Sequence, residues 1–132
     1  MKKDSRVYLA QILERIDRIK EFTADGKQAF LNDLRTQDAV IRNFEVIGEA
    51  AKRIPEEYRK GQPTIPWREL SGFRDVLIHQ YEGVNAAEVW QIVEKNLDPL
   101  RRAIVAILPP LNELEKEIAG NKEPDKKVKR KK

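Results

Sequence analysis

The period of its apolar residues constrains this chain more than any other feature. Apolar side chains recur at three- and four-residue steps, and no segment alternates with period two as a half-buried strand would. Leu9, Ile12, Ile16 and Ile19 mark a first helix, capped at Asp4 or Ser5, which Thr23, Asp25 and Gly26 interrupt. A second helical region runs from about Lys27 to Arg53, with Val40, Phe44, Ile47, Ala51 and Ile54 as its seam. Gly48 lies beside Phe44 on the same face. Glycine inside a helix costs about 1 kcal/mol relative to alanine, so this one points to close approach of another helix.

Residues 55–66 hold three prolines and a glycine and read as the main loop, with room for one helical turn. Pro66 suits the first turn of a helix reaching about Tyr81, and Gly83 ends it. Asn85 and Glu88 resemble a capping box for a last long helix carrying Ala86, Val89, Val93, Leu97, Leu100, Ile104 and Ile107. Pro99 should kink or restart that helix, Pro109-Pro110 close it, and residues 111–118 add a short one. The expectation is an all-α bundle of four to five helices.

Composition removes several kinds of chemistry. With no Cys and one His, structural zinc, iron–sulfur clusters and disulfides within one chain are out. Ser5 and Ser71 are the only serines, a poor basis for a Ser-His-Asp hydrolase, and neither a GxxxxGK[ST] nor a GxGxxG run is present. A carboxylate metal site could draw on Asp38, Glu45 and Glu49, but Arg42 lies among them, and such a stripe is more often an ion-paired face. No apolar run approaches ~18 residues and no signal peptide forms, so a soluble, cytoplasmic protein is expected.

The net charge of +4 is unevenly placed. Residues 120–132 carry seven basic and two acidic groups, a net of +5, which leaves residues 1–119 at −1. The division expected is therefore a helical domain over 1–119 and a disordered basic tail over 120–132. The tail reads as a solubilising terminus, an electrostatic aid to RNA binding, or by composition alone a nuclear-import signal.

The informative stretch is residues 67–85, WRELSGFRDVLIHQYEGVN. On a helical wheel Arg74 falls in the middle of the apolar arc made by Phe73, Leu77, Leu70, Tyr81 and Trp67. A guanidinium there needs an acid such as Glu45 or Glu49, or an anionic ligand. His79 lies one turn after Asp75, a pair that could orient the imidazole. A lone surface histidine is more often inert, and Tyr81 alone would be an aromatic at the edge of the core.

Arg74, His79 and Tyr81 spell R-x4-H-x-Y within FRDVLIHQYEGV. With the preceding W-x-x-x-x-G-F and the stretch AVIRNFEVIGEAAKRIP, the chain resembles the HepT family of the HEPN superfamily, the ribonuclease toxins of HepT–MntA toxin–antitoxin modules. The resemblance covers most of residues 5–108; Glu82 departs from the aromatic or apolar residue expected there, and the basic tail lies outside it. It implies a HEPN-like bundle forming a two-fold homodimer and a metal-independent endoribonuclease without cofactor. Arg74 and His79 would be its catalytic residues, with Asp75 in support. It also implies a partner, an MntA-type nucleotidyltransferase antitoxin, that uses ATP to place AMP on Tyr81.

That chemistry is self-consistent. The 2′-hydroxyl of RNA can attack its own phosphate, so protein groups need only move protons and stabilise the phosphate. A histidine can gain or lose a proton near neutral pH, and an arginine grips phosphate. Two proton-transfer groups are wanted and each chain has one His. Arg74 and His79 also lie about 140° apart on an ideal helix. Both points favour a dimer with one shared cleft. Structured RNA such as tRNA is the expected substrate, because the body lacks an aromatic platform for single strands. The main alternative is a non-enzymatic helical module binding a nucleotidyltransferase or a nucleotide. A DNA-binding helix-turn-helix is weaker, since the slightly acidic body offers no broad basic face.

Overall fold

The computed structural model describes residues 4–80 and 83–108. Among them are six helices and no strand: α1 (Ser5–Phe22), α2 (Lys27–Leu31), α3 (Leu34–Arg53), α4 (Glu56–Lys60), α5 (Trp67–His79) and α6 (Ala86–Ile107). Four are long, and α2 and α4 are single short turns. No helix among the described residues is long and apolar enough to cross a membrane.

The caps account for most boundaries. Asp4 accepts from the Arg6 amide at 2.8 Å and opens α1. Thr23 ends it by donating its hydroxyl to the Ile19 carbonyl at 2.7 Å, and Gly26, at φ 96°, makes the turn into α2. Asn85 opens α6 by accepting from the amides of Ala87 and Glu88. Pro99 neither divides nor restarts α6, which runs through it.

The helical region expected over Lys27–Arg53 is broken at Asn32-Asp33. Asp33 leaves helical geometry and accepts from the Arg35 amide at 3.1 Å and the Thr36 hydroxyl at 2.8 Å. The side-chain amide of Gln37 donates to the carbonyls of Phe30 and Leu31 at the broken helix end, where Phe30 also accepts from the Asp33 amide at 3.3 Å. One polar turn therefore starts α3 and finishes α2, and it lets Phe30 turn inward against Trp90 with ring centroids 5.5 Å apart.

Helix α3 is central, with α1 along one side and α5 along the other, while α6 lies against α1 and α2. Leu9, Ile12, Ile16 and Ile19 of α1 meet Val40, Phe44, Ile47 and Ala51 of α3, and Leu77, Leu97, Leu100 and Ile104 complete the core. Surface pairs Arg101–Asp17 and Lys20–Asp98 join α6 to α1, though such exposed pairs add little stability. Residues 111–118 and the 120–132 tail, expected as a short helix and a disordered segment, lie outside the described residues.

Candidate active site

Helix α5 is fixed at both ends of its inner face. At its start, the Trp67 indole N–H donates to the carbonyls of Arg59 and Gln62, tying α5 to the end of α4. Further along, Phe73 meets Phe44 edge-on at 5.2 Å and Leu77 is fully buried. Between these anchors α5 crosses α3 at Gly48. A Cβ at Gly48 would run into the Arg74 side chain and come within 2.8 Å of the Leu70 carbonyl oxygen. The missing side chain is what allows Arg74 to sit directly on α3.

Arg74, 23% exposed, donates to Glu49 Oε1 at 2.9 Å and to Asp75 Oδ1 at 3.0 Å. Of the two acids the sequence offers as its partner, Glu49 and not Glu45 is used; Glu45 pairs with Arg42 at 3.3 Å. Glu49 also accepts from Arg53 at 3.3 Å, and Asp75 from Lys52 at 3.2 Å. The result is a chain of alternating charge, Lys52–Asp75–Arg74–Glu49–Arg53, with one positive charge in excess. Arg74, then Lys52, holds the Asp75 carboxyl below the usual carboxylate range; Arg53, then Arg74, does the same for Glu49. The two acids, Asp75 first, raise the Arg74 guanidinium further above its ordinary value. Arg74 Nε is buried without a hydrogen-bond partner among the described residues.

His79 is exposed at the last position of α5, and its Nδ1 lies 2.8 Å from the Asp75 main-chain carbonyl. A carbonyl can only accept, so Nδ1 carries the proton in this bond, and Nε2 of the neutral ring is left as the acceptor. Asp75 thus meets His79 through its backbone, while its carboxylate turns to Arg74 and Lys52. The spacing of four residues gave the contact; the two cations decided which atom makes it. Lys52 carried no signal in the sequence beyond its place on the exposed side of α3. Tyr81 lies outside the described residues.

The other face of α5 is open. A groove of about 720 Å³ runs between α5 and α6, lined among others by Phe44, Phe73, Val76, Ile92, Leu97 and Leu100. Val76 is 48% exposed along it. Two of the three acids considered for a metal site are otherwise engaged, Glu45 with Arg42 and Glu49 with Arg53 and Arg74, which leaves Asp38 without enough fellow ligands. Among the described residues no three His, Cys, Asp or Glu side chains gather as metal ligands would.

The family model described as ribonuclease HepT-like matches residues 12–107, which takes in α5 whole and both ends of the R-x4-H-x-Y motif. The chain belongs to the ribonuclease HepT-like family. Its HepT-like relatives include the probable ribonuclease HepT of Thermococcus cleftensis, 44% identical over 76% of this chain and 93% of that protein. A Methanocaldococcus jannaschii protein named gamma-glutamylcyclotransferase and putative RNase is 42% identical over 85% of this chain. This chain spans about half of that longer protein, 51%. A putative RNase of Caldanaerobacter subterraneus is 36% identical over 80% of this chain and 96% of its own length. No solved structure matches. The all-helical fold is the one the HepT resemblance implies, and the basic tail falls outside the matched residues.

Proposed function

We propose that this HepT-like chain is the toxin of a toxin–antitoxin pair, a metal-independent endoribonuclease of the cytoplasm acting on structured RNA such as tRNA. One observation carries the reading: Arg74 is held against α3 while His79, on the same helix, is exposed with its Nδ1 bound to the Asp75 carbonyl. His79 Nε2 takes the proton of the 2′-hydroxyl as that oxygen attacks phosphorus. Arg74 exchanges its acids for the phosphate and meets the charge that builds on the non-bridging oxygens. The 5′-oxygen leaves with a proton from a second imidazole, giving a 2′,3′-cyclic phosphate and a 5′-hydroxyl. Asp75 supports both groups, through its carbonyl to His79 and its carboxylate to Arg74.

The second imidazole is that of a second copy. A two-fold dimer closed over the apolar groove of α5 and α6 covers the exposed Val76 and brings two copies of α5 together. The helical domain over 1–119 would hold the whole site, with the 120–132 tail adding only salt-sensitive affinity. An MntA-type nucleotidyltransferase would silence the toxin by AMP transfer from ATP to Tyr81, setting a bulky anion near Arg74 that repels RNA. Tyr81→Phe should then remain toxic when the partner is co-expressed; silencing of that variant through the partner's catalysis would exclude Tyr81 as the acceptor.

The test of the enzyme is RNA cleavage in EDTA. Wild type should cleave and His79→Ala should lose about 10²–10⁴-fold in rate, the range for removing a general acid–base group. The pairing of Arg74 with both Glu49 and Asp75 favours a second reading, in which the arginine is structural and the chain is a non-enzymatic module for a nucleotidyltransferase or nucleotide. Equal inactivity of both proteins, with partner binding intact, would select that reading.

A further inference from the structure

A second concentration of positive charge lies outside the candidate site. A polar depression of about 390 Å³ between α1 and α3 is lined by Gln11, Arg15, Arg42, Glu49 and Arg53 among others. Three guanidinium groups face one carboxylate in a body whose net charge is −1, so the surplus is local. That carboxylate, Glu49, is the one that reaches Arg74 on its other oxygen.

The three arginines differ in how they are held. Arg15 donates to Asn43 Oδ1 at 3.3 Å, and buried Asn43 is fixed in turn by donating to the Ala39 carbonyl at 2.7 Å. Among the described residues no carboxylate meets Arg15, and its Nε has no hydrogen-bond partner. Among the described residues Arg42 has only Glu45, on its own helix, and its side chain is 71% exposed. Arg53 shares Glu49 with Arg74. A buried amide thus positions a guanidinium that internal pairing does not neutralise, beside a second that water almost surrounds. Guanidinium groups arranged in this way match the planar, two-oxygen face of a phosphodiester.

We propose that this depression is a second phosphate site, where Arg15 and Arg42 hold a backbone phosphate of the RNA flanking the bond cut at Arg74 and His79. The inference rests on the ribonuclease reading and extends it across α3, with Glu49 marking where the two sites adjoin. Contacts of this kind fix the register of a nucleic acid without reading its sequence, and they release counterions.

The experiment uses the His79→Ala chain, which leaves RNA intact, with unfractionated tRNA as the probe and NaCl as the variable. Arg15→Gln with Arg42→Gln should raise Kd about tenfold and flatten the dependence of log Kd on log salt by about 0.7–0.9, the share of one phosphate contact. Lys95→Gln with Arg102→Gln removes the same charge from α6 and should leave the slope within about half a unit of the parent. Arg42→Gln alone, at a position with no part in the core, should flatten it by part of that amount. Matching slopes for the α1–α3 and α6 double variants would overturn the second site; if wild type still cleaves tRNA, the ribonuclease reading survives that result. A wild-type protein that neither cleaves nor binds tRNA removes both.

Discussion

The two faces of α5 differ in how they are finished. Toward α3 the helix is sealed: Leu77 is fully buried, Phe73 stacks edge-on with Phe44, and Gly48 gives way to Arg74. Toward α6 it stands over an apolar groove, with the neighbouring residue Val76 half exposed. One face spends its apolar surface inside the chain, and the other keeps it for something outside. The sealed face sets where Arg74 sits, and the open face sets what His79 can meet.

The sharpest way to break this contrast is to truncate adjacent residues that face opposite ways. Leu77→Ala should cost about 3 kcal/mol in urea denaturation, the usual range for emptying a fully buried leucine site. Measured on monomeric protein, Val76→Ala should cost under about 0.5 kcal/mol, as surface changes do. Comparable losses at the two positions would mean that the open face is part of the monomer's core.

Val76→Glu asks the complementary question. Two-fold symmetry would set two added carboxylates near each other at a closed groove, so the dimer should dissociate by sedimentation. Cleavage should fall about 10²-fold or more, because each monomer keeps one proton-transfer group. The folded chain should stay within about 0.5 kcal/mol of the wild-type monomer. A monomeric variant with full activity would sink the shared cleft.

The contrast also shows what was legible beforehand. Helical period and caps depend on residues close in sequence, so the long helices, Asp4 and Asn85 could be read directly. The break at Asp33 was missed because apolar spacing continues across it; Thr36 and Gln37, which complete the cap, were the overlooked local signal. Glu45 and Glu49 were equivalent partners for Arg74 until Gly48 fixed the crossing of α3 and α5. At His79 the spacing identified Asp75 but not the atom, which depends on Lys52 from another helix. The groove was illegible for a related reason. An amphipathic pattern marks which residues avoid water and is silent on whether their cover comes from the same chain.

The smallest effect concerns the charges where the sealed face meets solvent. Glu49 and Asp75 are held below the usual carboxylate range by their cations, so both bind protons more weakly folded than unfolded. The stability they contribute is present above the unfolded value, about 4, and is lost as pH falls through the lowered folded values. Glu49→Gln removes one of these contributions and leaves most other carboxyls common to both proteins, so their titrations cancel in the comparison. Asp75 does not cancel fully, because it shares Arg74 with Glu49 and the two are coupled. Wild type should therefore show the higher urea midpoint at neutral pH. The gap should close as pH falls through the acid range, and added salt should narrow it, since the pairs are largely exposed. A gap that stays constant into strong acid would mean that Glu49 acts by packing alone, and that charge at this edge does not hold Arg74 in place.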